Sequence, residues 1–588
     1  MPVIQTPAEC RIQIDGKEIK YDISSVQLDQ FVDDHHVLRI RIRQLGKATS
    51  DKDFDDPGKY TGFLGKSIAM NITPYGGIVD SSRLLEFIGV VTEVSLDNSI
   101  DGLNTVLLTA HSPTVLLDGF VQNSFHYEMK ASDIIKEIVG KYPITVGSID
   151  ATEATLKHSI QYRETDYQFI MRLASTNGMF AHYNGKEFGV SASTAGVTEV
   201  LYWRESLGVF ALGLGTGIEK VGSQVYDYVK KDYYVGWTDP HLRSSLSDLP
   251  KLSFEASQSL YVTESFIPAV NAASQAELDK ALELFRENLV GRIATGHGES
   301  CIPAVSVGKA IMIKGMDKLD GLYWVKSVRH VFDESGKYHN TFACTPLDMA
   351  FPQHRISKAP FTDLQTAFVL DVDDPEKLGR VKVQWPWNVG DAHLPGLDVW
   401  VRVLTPHAGE KRGWFCIPEV GDEVLVGFEH GDPHRPVVLG SLYNGKDIPP
   451  SDGHPISWSA DNNLKLFRTK SGNEIYFCDD SGSETIVIVQ KDKQNTITLS
   501  LDGPKIAIES EGDISLKAAN ISLESTSGDI TLKSAAGLKT ESTQDTGIKA
   551  GGNLTTEGSI NYDMKAGVNA TVKGSGVVTV QGSLVKIN

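Results

Sequence analysis

The sequence predicts a mainly β chain with some α, laid out as an α+β half, a small closed barrel and a terminal β-rod. Three observations carry this reading. The first 350 residues mix alternating strands with a few amphipathic helices, residues 364 to 443 pack short strands between turn residues, and the last hundred repeat with a period of eight.

Length and composition set the frame. At 588 residues the chain exceeds what one core can organise and points to about three or four domains. Hydrophobic residues make up 41% and charged residues 22%, an ordinary globular mix. The opening stretch MPVIQTPAECRIQIDGKEIK has no basic segment followed by an apolar one, so no signal peptide is expected, and no window has eighteen uncharged apolar residues to span a bilayer. Cys10, Cys301, Cys344, Cys416 and Cys478 are scattered, with no CxxC pair, and read as buried free thiols. The net charge of −19 disfavours nucleic acid, whose phosphates need a surplus of Lys and Arg. Residues 456 to 588 hold 13 Lys/Arg against 16 Asp/Glu, leaving −16 for the first 455, so neither part suits a polyanion.

In the first half, CRIQIDGKEI, HVLRIRIRQ, LEFIGVVTEVSLD and NTVLLTAHS alternate apolar and polar residues as half-buried strands do. Three helices interrupt them. Ser132 to Tyr142 puts Ile134, Ile135, Ile138 and Val139 on one face, and TDYQFIMRLASTNG spaces Phe169, Ile170, Leu173 and Ala174 helically before stopping at Gly178. The longest begins with the capping box Ser274-x-x-Glu277 and carries Leu278, Leu282 and Phe285. This half reads as two β-rich, barrel-like subdomains. A linker follows at about 348 to 363.

Leu364 to Tyr443 contains TAFVLDV, GRVKVQW, DVWVRVL, GWFCIP, DEVLVGFEHG and RPVVLGSLYN, five or six strands that suit an oligonucleotide/oligosaccharide-binding (OB) type barrel. Trp385, Trp387, Trp400 and Trp414 fall in it, read as core or interface packing because the chain is acidic.

The final segment falls into eights such as GDISLKAA, GDITLKSA and INYDMKAG. Ile514, Ile530, Leu538, Leu554, Tyr562 and Val578 recur in phase, and a second row two residues later holds Leu516, Leu532, Ile548, Met564, Val572 and Val580. The phase slips by one at Ile521/Leu523, and Thr546 and Ala570 are weak members. Each repeat offers too few apolar residues to build a core alone. Three copies wound about one axis would bury the rows and pair the strand edges, so an intertwined triple-stranded β-helix is expected rather than a single-chain solenoid.

No catalytic constellation stands out. His430 and His434 are four apart beside Glu429 and Asp432, a zinc spacing on a helix, but Gly431 and Pro433 forbid a helix there. His35, His36 and His297 lack a ligand set, and GLGTG (Gly213 to Gly217) lacks the helix and acidic residue of a dinucleotide loop. The stretch GDPHRPVVLG therefore reads as a hairpin turn between the last barrel strands, with Arg435 pairing to Asp432 or to a neighbouring subunit.

DDPEKLGRVKVQWPW, WVRVLTPHAGEKRGWFCIPEVGDEVLVGFEHGDPHRPVVLGSLYN, KSGNEIYFCDDSGSETIVI and, in the first half, QYRETDYQFIMRLASTNGM resemble the VgrG spike family of contractile injection systems, which includes type VI secretion and phage-tail-like particles. The resemblance implies a baseplate hub-like domain at 1–355, an OB-fold spike domain at 356–447, a neck at 448–483 and a trimeric β-helix needle at 484–588. It implies a homotrimer at the end of the inner tube, in contact with tube and baseplate proteins, that pierces a target membrane on contraction. A PAAR-type tip protein, contacting Val578, Val580, Leu584 and Ile587, and effector cargo are the further partners implied. The protein would be assembled in the cytoplasm and delivered outside the cell or into a target cell. About forty residues between Tyr443 and the stem leave no room for a lysozyme domain, and SLVKIN still lies within the repeat. A non-enzymatic spike without metal or cofactor is expected, and a cell-wall-degrading spike enzyme or a trimeric receptor-binding fibre are the alternatives.

Overall fold

The computed structural model describes residues 4–44, 58–75, 83–97, 104–193, 197–218, 220–238, 246–267, 272, 274–349, 362–386, 399–450 and 461–587. The linker expected at 348 to 363 and Trp387 lie largely or wholly outside them. Two compact units divide the chain, Met1–Pro449 and Pro450–Asn588.

A thirteen-stranded sheet organises the first 349 residues. Alternation decides which way each strand faces: in Thr6–Ile14, Ala8, Ile12 and Ile14 point into the core and Glu9 and Gln13 into solvent. Antiparallel pairings lead from Gly321–Asp333 through Ile23–Phe31, Val37–Gln44, Asn104–His111, Leu85–Asp97, Ser67–Pro74 and Thr6–Ile14 to Lys337–Pro346. Lys337–Pro346 pairs back onto Gly321–Asp333, so the ring runs full circle. The same hairpin then serves a second lobe, pairing with Ala294–Ser300 on one side and Ala310–Lys314 on the other. Two cores result, one around Ile40, Phe87, Leu108 and Phe169, the other around Leu201, Ile311, Val325 and Phe342. One shared hairpin joins the two barrel-like subdomains.

The helices have local causes. Ala131–Val139 buries Ile134, Ile135, Ile138 and Val139. Asp166–Thr176 starts at Thr165, whose hydroxyl accepts from the Gln168 N–H while Gln168 returns a bond to the Thr165 backbone, and Gly178 turns the chain away at φ 73°. Gln275–Val290 starts with Ser274 accepting from the Glu277 N–H, and packs Leu278 and Leu282 on a small sheet of Val221–Asp227, Asp232–Trp237 and Ser265–Phe266. A further helix, Asp248–Leu260, lies where the periodicity gave no signal: it is rich in Ser and carries Pro250, and its burial of Phe254 holds it in place.

Residues 365–441 close into a barrel of five strands: Gln365–Asp371, Val381–Gln384, Val399–Val403, Glu423–Phe428 and Pro436–Ser441. Its core is almost all β-branched, with Val369, Val381, Val383, Val401, Val424, Val426 and Val438 around Trp385. GWFCIP is not one of the strands. Gly413 ends a two-residue hairpin with Ala408–Gly409, and Trp414 and Phe415 stand exposed. The apolar composition imitates a strand, but closure by the parallel pairing of Val399–Val403 with Pro436–Ser441 leaves no edge for it to join. Cys416 is also exposed, unlike the expected buried thiol, whereas Cys301, Cys344 and Cys478 are buried.

In the second unit, Leu464–Arg468, Glu474–Cys478, Thr485–Val489, Asn495–Ser500 and Lys505–Ser510 form a five-stranded antiparallel meander. It straddles the boundary that the sequence places between neck and needle at 483/484. Register aligns Phe467, Ile475, Ile488, Ile497 and Ile508 in one straight row across all five strands. These side chains lie along a groove of about 560 Å³ that Ile514 also lines, on a face left open to solvent.

Candidate functional site

Beyond Ser510 the described residues form no strand pairing, although the chain is regular. From residue 535 onward two-residue corners fall at 535–536, 543–544, 551–552, 559–560, 567–568, 575–576 and 583–584, each eight residues after the last, with extended backbone between. Serines close several of them: the Gly537 N–H donates to Ser534 Oγ at 3.1 Å, and Ser534 Oγ donates to the Gly537 carbonyl at 2.9 Å. Ser525 and Gly528 repeat the arrangement nine residues earlier. That nine-residue step and a three-residue corner at 526–528 absorb the slip at Ile521/Leu523 and restore the phase.

Among the described residues nothing covers the apolar rows of this stem. Ile530 is 53% exposed and Val580 71%, and all of 511–587 is exposed. Among the described residues its extended backbone finds no ladder partner, so both its N–H and C=O groups and its rows of Ile, Leu and Val stand open. Val578 and Val580 sit in the two rows, Leu584 occupies the corner 583–584, and Ile587, 89% exposed, belongs to neither row. These four residues do not converge on a pocket in the single chain.

The corner Gly431–Pro436 docks onto the first domain. Glu429–Gly431 is a single 3-10 turn with His430 in the left-handed region at φ 57°, which rules out a helical zinc pair. His434 Nδ1 lies 2.9 Å from Asp432 Oδ1, its Nε2 accepts the Ile160 N–H at 3.4 Å, and its ring stacks on His158 with centroids 5.6 Å apart. Burial works against ionisation of Asp432, yet the His434 side chain and N–H hold its carboxyl below the usual range. Of the two partners expected for Arg435, Asp432 takes only its backbone N–H, on the carbonyl at 2.9 Å, while the guanidinium reaches Glu429 at 3.9 Å.

A second clasp joins barrel and hub. Tyr228, at the tip of the hairpin Val221–Asp227/Asp232–Trp237, accepts from the Arg380 guanidinium at 3.3 Å and lies under the Arg402 guanidinium, 4.4 Å from ring centre to Arg402 Cζ. Arg380 is itself fixed by a two-pronged bond to Asp374 at 2.7 and 3.1 Å, and Asp374 also accepts the N–H groups of Glu376, Leu378 and Arg380. The Arg380 guanidinium, first of these donors, keeps the Asp374 carboxyl far below the ordinary range. On the hub side, Arg172 binds Glu164 at 2.8 and 2.6 Å and the Ile160 carbonyl at 2.6 Å, all buried, which stiffens the strand that His434 rests on. The motif around Gln161 thus meets the His434 corner, and the motif around Asp374 meets Tyr228 through Arg380. Among the described residues no group of three or more His, Cys, Asp or Glu side chains is placed to hold a metal ion, and no helix is long and apolar enough to cross a membrane.

Two family models match the chain: the Alg8 N-terminal domain over residues 5–334, and the type VI secretion system/phage-baseplate injector OB domain over residues 365–443. Among curated proteins, the chain is 26% identical over 373 residues to the actin cross-linking toxin VgrG1 of Vibrio cholerae, an alignment covering 57% of this chain and 32% of that one. It is 24% identical over 403 residues to the type VI secretion system spike protein VgrG1c of Pseudomonas aeruginosa, covering 61% and 53%. The chain thus spans about a third to a half of the length of these relatives. A chain of the Francisella PdpA–VgrG complex superposes with a TM-score of 0.57 at 10% identity, covering 87% of this chain and 89% of that one, which is a likeness of fold.

Proposed function

We propose, on the premise that this chain belongs to the family of the Alg8 N-terminal domain and is a VgrG-like spike, that three copies form a structural, membrane-puncturing spike at the tip of a contractile injection system's inner tube. The single observation that carries the proposal is the stem at 511–587, regular in its corners yet without an internal partner for its backbone or its apolar rows. Closing three such stems on one another pairs every edge and removes the apolar rows from water, giving a rod that resists bending because its bonds must break together. The open row from Phe467 to Ile508 belongs to the same closure.

On this reading the hub-like domain takes up 1–355, the OB spike domain 356–447, a neck 448–483 and the needle 484–588. The tube and baseplate hold the hub, and a PAAR-type protein seats on the end near Val578, Val580, Leu584 and Ile587. Assembly takes place in the cytoplasm and contraction carries the spike outward. The spike acts mechanically and is not an enzyme. Light-scattering mass of the purified chain tests the core of this: three times 64.2 kDa is expected, and a monomer overturns it. Imaging of contractile particles should place the chain at the tip, and clearing of peptidoglycan in a zymogram would overturn the non-enzymatic reading. Unchanged tip-protein binding after deletion of 576–588 would remove that contact.

A further inference from the structure

Counting octads from residue 513, the apolar rows occupy the second and fourth positions outside the slipped octad 521–528, so there the strand period of two sends the first, third and fifth to the opposite face. The fifth position reads Lys517, Ser525, Lys533, Glu541, Lys549, Glu557, Lys565, Lys573, Gln581. It takes five of the seven lysines and two of the three glutamates in 513–588, a segment without arginine. From Lys533 to Lys565 the sign alternates without a break.

We infer that this column is a charge ladder between copies of the chain, matched to a stagger of one octad between neighbours. The inference rests on the trimeric reading above. One corner per octad carries each chain from one side of a threefold assembly to the next. Symmetry places the neighbour's octad n on the side where the first chain delivers its octad n+1, so consecutive octads from different chains become adjacent rungs, roughly 4.7–4.9 Å apart. Lys533 of one copy then lies beside Glu541 of the next, Glu541 beside Lys549, Lys549 beside Glu557 and Glu557 beside Lys565. Pairing octads of equal number would instead set Lys533 on Lys533 and Glu541 on Glu541, with like charges directly opposed. Threefold symmetry excludes that register, and the stagger it dictates matches every sign across four successive contacts.

Thiol cross-linking in the full chain, with the exposed Cys416 changed to Ser, reads the register. Lys533→Cys combined with Glu541→Cys, treated with a short bis-maleimide, should give covalent trimers on a denaturing gel. Glu541→Cys alone should give none. A covalent product from the single variant, with the native mass still trimeric, overturns the ladder and leaves the trimer standing. A monomeric mass overturns the trimer and the ladder with it. In the otherwise unaltered chain, Glu541→Lys with Glu557→Lys should lower the denaturant midpoint for trimer dissociation at low salt and have a smaller effect at high salt. An unchanged low-salt midpoint also overturns the ladder.

Discussion

The first unit and the stem use the same residues to opposite ends. In Met1–Pro449, Val, Ile and Leu at alternate strand positions are buried within one chain, as Ile40, Leu108 and Val401 are, each with no exposed surface. In 511–587 the same residues at the same spacing are exposed. The difference is connectivity. Hairpins bring the hub and barrel strands back beside one another, whereas the octads of 511–587 turn their corners without laying one stretch beside another. A period-two pattern therefore says that a face will be covered and not whose chain will cover it.

The most severe way to break this contrast is a charge in the stem rows. Ile530→Asp with Leu532→Asp should abolish the trimer, seen as a drop to monomer mass, while the melting temperature of the first unit stays unchanged. If both fell together, the two regions would not be independent. Next comes Glu164→Ala, which strands the buried Arg172 guanidinium; it should cost about 3–5 kcal/mol in urea unfolding of the first unit and leave the oligomer mass alone. Acid should also tell the regions apart. Burial lowers His36 and His330 to about 3, so the unfolded chain binds more protons than the native one between that value and roughly 6.5. Stability of the first unit should then fall as pH drops below about 6.5, on the order of 2 kcal/mol per histidine at about pH 5. No histidine follows His454, so trimer dissociation should be insensitive over the same interval; urea midpoints at pH 7 and 5 give the comparison. Tyr228→Ala, which removes the clasp on Arg380 and Arg402, should cost about 1 kcal/mol and show as faster proteolysis between hub and barrel. Lys141→Ala, breaking an exposed pair with Glu137, should stay within about 0.5 kcal/mol and marks the floor of the measurement.

Much of this was legible in the residues. Alternation located four of the ring strands, Ser274 located the start of the longest helix, and the octads located the stem, because each is a local pattern. The shared hairpin Gly321–Asp333/Lys337–Pro346 was not, since its double role depends on partners from both ends of the hub. GWFCIP was misleading because apolar residues predict burial only where an edge is available. Helix Asp248–Leu260 gave no signal because its stability comes from Phe254 rather than from propensity. At the corner, Gly431 and Pro433 announced a turn, but the contact of His434 with Ile160 spans 274 residues and has no local trace.

The unpaired octads have a kinetic consequence. The hub and barrel can complete themselves by a first-order process, at a rate set by their own chain. If three chains close the stem, as proposed, it has no such route, for its ladder would exist only between chains and its half-time would shorten as copies accumulate. Until two others arrived, each new molecule would wait with a finished body and an open edge, and the concentration at the site of synthesis would become part of its folding code.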